Sequence, residues 1–246
     1  MSYEHLFLVC VAFALGGILK GAIGAGAPIL AVPIMAILVD VPFAVAVFIM
    51  PNILSNAVQG WQFRAHIPDK GFALRFALAG LVGAGLGTIA LAGLSSAILT
   101  TSVAVIVLVY VTFRLIQPGW TLDMSLANRL AVPVGTIGGV LQGATGLSAP
   151  VSITFVNALR LERKQFIATM SLFFSFMALA QLPVQIALGI MTTERFAYSV
   201  LASLPLVAFM PVGGFLARHV SREVFDRIIL SLLTLLAFRL LAENFY

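Results

Sequence analysis

Apolar residues fill ten stretches of this chain, roughly 5–22, 27–39, 42–62, 72–93, 95–116, 128–144, 149–159, 165–190, 194–217 and 223–243, with polar residues gathered in the gaps. Eight of the stretches approach the ~20 apolar residues that a helix needs to cross a bilayer; the second and seventh, at about 11–13, fall short. The pattern predicts an all-α integral membrane protein, one transmembrane domain over 1–246. The longest polar connector, Gln117 to Leu126, falls where two sets of five segments would join. This divides the chain into repeat one (1–116), a connector (117–127) and repeat two (128–246).

A duplicated motif supports the division. Gly17-Ile-Leu-Lys-Gly-Ala-Ile-Gly-Ala-Gly-Ala-Pro28 is matched, at an offset of 122 (142 − 20), by Gly139-Val-Leu-Gln-Gly-Ala-Thr-Gly-Leu-Ser-Ala-Pro150. Each copy interrupts the apolar pattern between the first and second segments of its half. The halves therefore each open with a broken or re-entrant helical hairpin. Paired Gly/Pro breaks at corresponding places point to a transport site between halves.

Composition narrows the setting. The chain is 61% hydrophobic and 9% charged, with mean hydropathy +1.10, against about 25% charged in soluble domains. The formal charge of +5 comes from basic loops on one membrane face, not from a nucleic-acid surface. If every segment reverses the chain, one side collects Arg64, Lys70, Arg75, Arg114, Arg129, Arg160, Arg163, Lys164, Arg218, Arg222 and Arg227, and the other only Arg195 and Arg239. By the positive-inside rule both termini are expected outside the cytoplasm. The N-terminus lacks the basic region of a signal peptide, so the first segment is expected to be retained. An odd number of segments per half predicts that the halves insert in opposite senses. Loop charge agrees: Asp40 alone joins segments two and three, whereas the matching loop holds Arg160, Arg163 and Lys164. Two inverted repeats are expected. Cys10, alone in an apolar run, is expected to serve packing.

The motif carries chemistry. Pro28 and Pro150 suit the first helical position, so the preceding Gly24-Ala25-Gly26 and Gly146-Leu147-Ser148 are expected to present free N–H groups at helix N-termini inside the membrane. Such ends carry about half a positive charge and bind anions. Ala27 and Ala149 begin the second arms, and Thr145 and Ser148 can add hydroxyls. The hairpin tips are expected to stop inside the membrane and face each other. Lys20 lies within the first break, opposite the neutral Gln142; buried cations there usually mark function, although a lysine can also snorkel to the interface. Asn52, Ser55, Asn56 and Gln59 recur at helical spacing in segment three. Ser171, Ser175 and Gln181 follow in its counterpart, with Gln181 at the repeat offset from Gln59. The competing reading is that the glycines let helices pack and the amides bond between helices. The expected binding set is Lys20, Gly24, Ala25, Gly26, Ala27, Asn52, Asn56, Gln59, Gln142, Thr145, Gly146, Leu147, Ser148, Ala149 and Gln181. Gly26→Leu is expected to block transport while the chain still folds.

No carboxylate lies mid-span, and no catalytic constellation, metal cluster or phosphate loop is present. The chain is not expected to be an enzyme or to need a cofactor or metal, and a cation permease is disfavoured.

At Gly21-Ala22-Ile23-Gly24-Ala25-Gly26 and Gly143-Ala144-Thr145-Gly146 the chain resembles the sulfite exporter TauE/SafE family. The resemblance implies a bacterial inner-membrane exporter of small sulfur-containing oxyanions: sulfite, sulfoacetate or other organosulfonates. Its mechanism would be alternating access, with a small anion and the lipid bilayer as partners and room for a homodimer. An anion channel and a membrane scaffold without transport are the alternatives.

Overall fold

A computed structural model of the chain describes residues 3–117, 119–219 and 222–243. Side chains are described except at 3–6, 218, 222–229 and 243. The ends of the chain, including Asn244–Tyr246, and the side chains of Arg218, Arg222 and Arg227 therefore lie outside the described residues.

The described chain is helical, with no strand: α1 (Tyr3–Ile23), α2 (Ala27–Leu38), α3 (Val41–Phe63, continued by one 3-10 turn, Arg64–His66), α4 (Lys70–Gly93), α5 (Ser96–Ile116), α6 (Met124–Thr145), α7 (Ala149–Ala158), α8 (Arg163–Ala187), α9 (Thr193–His219) and α10 (Arg222–Glu243). Among the described residues, six of them, α3–α6, α8 and α9, are long and apolar enough to cross a membrane. α2 and α7 have 12 and 10 residues. α6 begins four residues before the expected boundary because Asp123 caps it.

Acidic residues, which sit in the gaps or at the ends of the apolar segments, set several helix starts. Asp40, Asp69 and Asp123 accept from the N–H of Phe43, Phe72 and Leu126, each satisfying a donor that a helix start leaves open. Glu162 and Gln165 form a reciprocal capping box on α8. Hydrogen bonding from the Phe72 N–H holds the half-buried Asp69 carboxyl below its ordinary range. That cap is complete above the ordinary carboxylate pKa and is lost as pH falls through the lowered one.

Helices pair through glycine. A Cβ on Gly17 or Gly21 would overlap the carbonyl oxygen of Leu206 or Met210 on α9. In the same way Gly139 and Gly143 of α6 press on Gly80 and Ala84 of α4. These are small-residue contacts that let backbones touch. The pairings correspond when α1–α5 and α6–α10 are exchanged: α1 on α9 with α6 on α4, α3 on α9 with α8 on α4, and α5 on α10 with itself. Their directions can be read from contacts. α1 and α3 ascend together, since Phe13 stacks on Phe48 and Lys20 bonds Asn56. α6 and α8 do likewise, through Gly138 with Phe173 and Gln142 with Gln181. α1 descends against α8, with Gly24 on Ile167 and Lys20 over Phe174.

Cys10 is exposed on the outside of the bundle, so it does not serve core packing. α1 turns this residue outward while Val9, Ala12 and Phe13 face the core.

Candidate functional site

The duplicated motif divides into two parts with different work. Its early glycines, Gly17, Gly21, Gly139 and Gly143, are the packing contacts above, so the helix-packing reading holds for them. Its late glycines set backbone turns. Gly24, Gly26 and Gly146 have φ of 82°, 94° and 74°, a left-handed region that side chains other than glycine rarely enter.

Gly24 N–H donates to Lys20 O at 2.7 Å and Gly146 N–H to Gln142 O at 2.8 Å. Both glycines thus close the preceding helix, as C-terminal glycines commonly do. Leu147 N–H is also taken, by Thr145 Oγ1 at 3.3 Å, while that hydroxyl donates to Leu141 O at 2.7 Å. Gly24, Gly146, Leu147 and Thr145 therefore do not offer the free donors expected of them. The N–H groups with no partner among the described residues are those of Ala25, Gly26 and Ala27 before α2, and of Ser148 and Ala149 before α7. All of these residues are buried.

The tips are also placed differently. α1 and α6 are as long as ordinary spans, with 21 and 22 residues. Gly24 at the end of α1 reaches Ile167, one turn into α8, and Gly146 reaches Val45, one turn into α3. The chain then folds back: a Cβ on Gly16 would stand 3.1 Å from Ala27 O, so α2 starts about two turns below the end of α1. A Cβ on Gly138 would likewise stand 3.6 Å from Ser152 Cβ near the start of α7. What stops inside the bundle is the start of each short arm, not the end of the long one. Residues 24–26, with Gly24 and Gly26 in left-handed conformations, make the return.

Lys20 is 3% exposed and does not snorkel. Its Nζ donates to Asn56 Oδ1 at 2.8 Å and stands 5.7 Å from the Phe174 ring centre. Asn56 Nδ2 in turn donates to Asn52 Oδ1 at 2.7 Å and Asn52 O at 2.8 Å. No carboxylate is buried among the described side chains, so a buried ammonium is met here only by a neutral amide and an aromatic face. The two halves repeat a further contact. Gln59 Nε2 reaches Lys20 O at 3.5 Å and Gln181 Nε2 reaches Gln142 O at 3.3 Å. The structure therefore groups Lys20, Asn52, Asn56 and Gln59 with the first break, and Gln142, Ser148 and Gln181 with the second.

Many of these groups are under-used. Asn52 Nδ2, Gln59 Oε1, Gln142 Oε1, Ser171 Oγ, Gln181 Oε1 and both amide atoms of Gln185 are buried without a partner. Buried polar atoms normally have one, so a cluster of orphans beside two helix starts is suited to a polar guest. Three residues here were missed by the sequence reading. Gln185 lies one turn beyond Gln181. Ser152, one turn beyond Ser148, donates to Ser148 O and Oγ at 2.9 and 3.0 Å; helical spacing could have flagged both. Arg163 Nη2 donates to Gly21 O at 2.8 Å and Ala22 O at 3.1 Å, tying α8 to the end of α1. Nothing in the motif signals that contact, and residue 41, its counterpart, is a valine. Arg163→Ala is expected to free the first break. Thiol labelling of an Ala25→Cys probe in a Cys10→Ser background should then rise several-fold, and an unchanged rate would show that the arginine does not hold the break shut.

The family profile described as sulfite exporter TauE/SafE matches residues 8–240. The chain belongs to the sulfite exporter TauE/SafE family. Membership makes this a multi-pass membrane protein of a transporter family, not of an enzyme family, and points to a membrane exporter of sulfite or a related anion. Neither the curated proteins nor the solved structures compared with the chain give a match.

Proposed function

We propose that the protein is a secondary exporter of small sulfur oxyanions, sulfite or an organosulfonate, working by alternating access in a bacterial inner membrane. The observation that carries this reading is the pair of inward helix starts, with unpartnered N–H groups at Ala25–Ala27 and Ser148–Ala149, beside the buried Lys20. Helix starts and one ammonium favour an anion; the lack of a buried carboxylate among the described side chains disfavours a metal cation or a proton pump. The oxyanion would sit between the starts of α2 and α7. Asn52, Asn56, Gln59, Gln142, Ser148 and Gln181 would complete the shell, and Lys20 would set the field. Partial charges at the helix starts share the hold on the anion with Lys20, the one full charge, so release stays accessible.

We also read the halves as an inverted repeat. The opposed directions of α1 and α8, with α6 running alongside α8, support it, as do the loop charges. One bundle would then move against the rest, exposing the shell first to one face and then to the other.

Sulfite efflux from proteoliposomes tests the reading, with thiosulfate, taurine, sulfoacetate and sulfate as competitors. Ser148→Ala is expected to weaken binding about five-fold, since one neutral hydrogen bond contributes ~1 kcal/mol. Gly26→Leu is no longer the clean test: at φ 94° any side chain strains the turn, so that variant is expected to lose folding with transport. Flux and affinity unchanged in both Ser148→Ala and Gln142→Ala would place the site elsewhere.

A further inference from the structure

Away from the breaks, a cavity of about 280 Å³ opens where α5 and α7 end. Arg114 and Arg160 line it, together with Thr154, Asn157, Gln117 and Trp120, and none of the described residues that line it is acidic. Its wall is built, not incidental. Leu122 N–H donates to Ala158 O at 2.8 Å, tying the connector to the end of α7. Trp120 stands edge-on to Phe113 with ring centres 5.8 Å apart. Arg160 is the one non-glycine among the described residues with a left-handed backbone, φ 51°.

A second cavity, about 420 Å³, runs along the outer face of α5. Val105, Leu108, Val109, Thr112 and Ile116 line it, and it shares Phe113 and Gln117 with the first. Its residues recur at three and four, one stripe of a helix. From Val105 to Ile116 the stripe is roughly 16 Å long at the helical rise. A basic, polar pocket thus continues into an apolar trough on the surface of a membrane helix. A free oxyanion would use only the first part, and a second protein chain would have to bury two arginines. An amphipathic molecule with an anionic head uses both.

We propose that the pocket at the ends of α5 and α7 holds the headgroup phosphate of an anionic phospholipid, with one acyl chain in the groove along α5. Arginine pairs with phosphate through parallel N–H donors, and basic pockets between membrane helices suit such headgroups. Trp120 lies in the connector just past the end of α5, and tryptophan is enriched where membrane helices meet the headgroup region. This site is separate from the breaks and does not depend on the transport reading.

Native mass spectrometry of the purified full chain tests it, with phosphatidylglycerol and phosphatidylcholine supplied at equal concentration. Wild type is expected to retain one phosphatidylglycerol at least five-fold more than phosphatidylcholine. Arg114→Gln with Arg160→Gln should remove most of that preference. Val109→Trp, which fills the groove from an exposed position, should lower retention of both lipids while the protein stays folded. Inorganic phosphate should neither bind comparably nor displace the lipid. Three results would overturn the proposal. One is equal retention of the two lipids by wild type. Another is phosphate binding at the arginines with lipid retention untouched by Val109→Trp, which would make the pocket a free-anion site. The last is a change of oligomeric state in Val109→Trp without lipid loss, which would make the groove an interface between copies.

Discussion

Gly143→Ala is expected to yield little folded protein. Its new methyl would overlap Ala84 O and crowd Thr88 N and Gly87 C across the α4–α6 contact. These are backbone atoms, which cannot swing aside as a side chain can. Overpacking of a tight contact costs about 1–3 kcal/mol, more where nothing yields, and this contact joins the two halves. Gly21→Ala meets Met210 O in the matching α1–α9 contact and should fail in the same way. Gly93→Ala is the control, because a Cβ there meets nothing within 4 Å. Thermal unfolding followed by size-exclusion chromatography should show Gly93→Ala at or slightly above wild type and Gly143→Ala collapsed. A Gly143→Ala protein as stable as wild type would mean that α4 and α6 do not touch as described.

Lys20→Gln, the second large effect, removes the buried charge and installs the residue found at the corresponding position of the second half. Nothing acidic is left unpaired by the change, and glutamine can still donate, so the fold should survive. Binding should not. A hydrogen bond to a charged group contributes about 1.5–3 kcal/mol, which is about ten-fold or more in affinity. Sulfite binding by calorimetry should weaken at least ten-fold while thermal stability without ligand stays near wild type. Equal affinity would show that the ammonium serves structure alone, holding Asn56 and the α1–α3 contact.

Much of the architecture was legible in the sequence because lipid imposes a coarse rule, apolar for about 20 residues or not spanning. The ten segments, the short α2 and α7, and the burial of Asn52, Ser55, Asn56 and Gln59 on one face follow from period and length. What escaped is three-dimensional. Gly21 and Gly24 lie three residues apart in one motif, yet one meets a helix of the other half and the other turns the chain; only φ and the neighbouring atoms separate them. Free N–H groups were assigned one residue too early in the first break, because Gly24 closes α1, and two too early in the second, because Gly146 closes α6 and Leu147 donates to Thr145. Arg163 was read as loop charge, since a contact between residues 142 apart leaves no periodic trace. Asp40, Asp69 and Asp123 were legible as polar gaps but not as caps, because the apolar count looks past the residue that starts a helix.

The central claim is that one anion binds between the starts of α2 and α7, within reach of Lys20. Selenite, chemically close to sulfite and visible by anomalous scattering, tests it directly in crystals of the wild-type protein. One anomalous peak is expected within hydrogen-bond distance of N–H groups in Ala25–Ala27 and Ser148–Ala149, next to Lys20 Nζ, and it should disappear in Lys20→Gln. A peak confined to the Arg114–Arg160 pocket, or none beside Lys20 at saturating selenite, would contradict it.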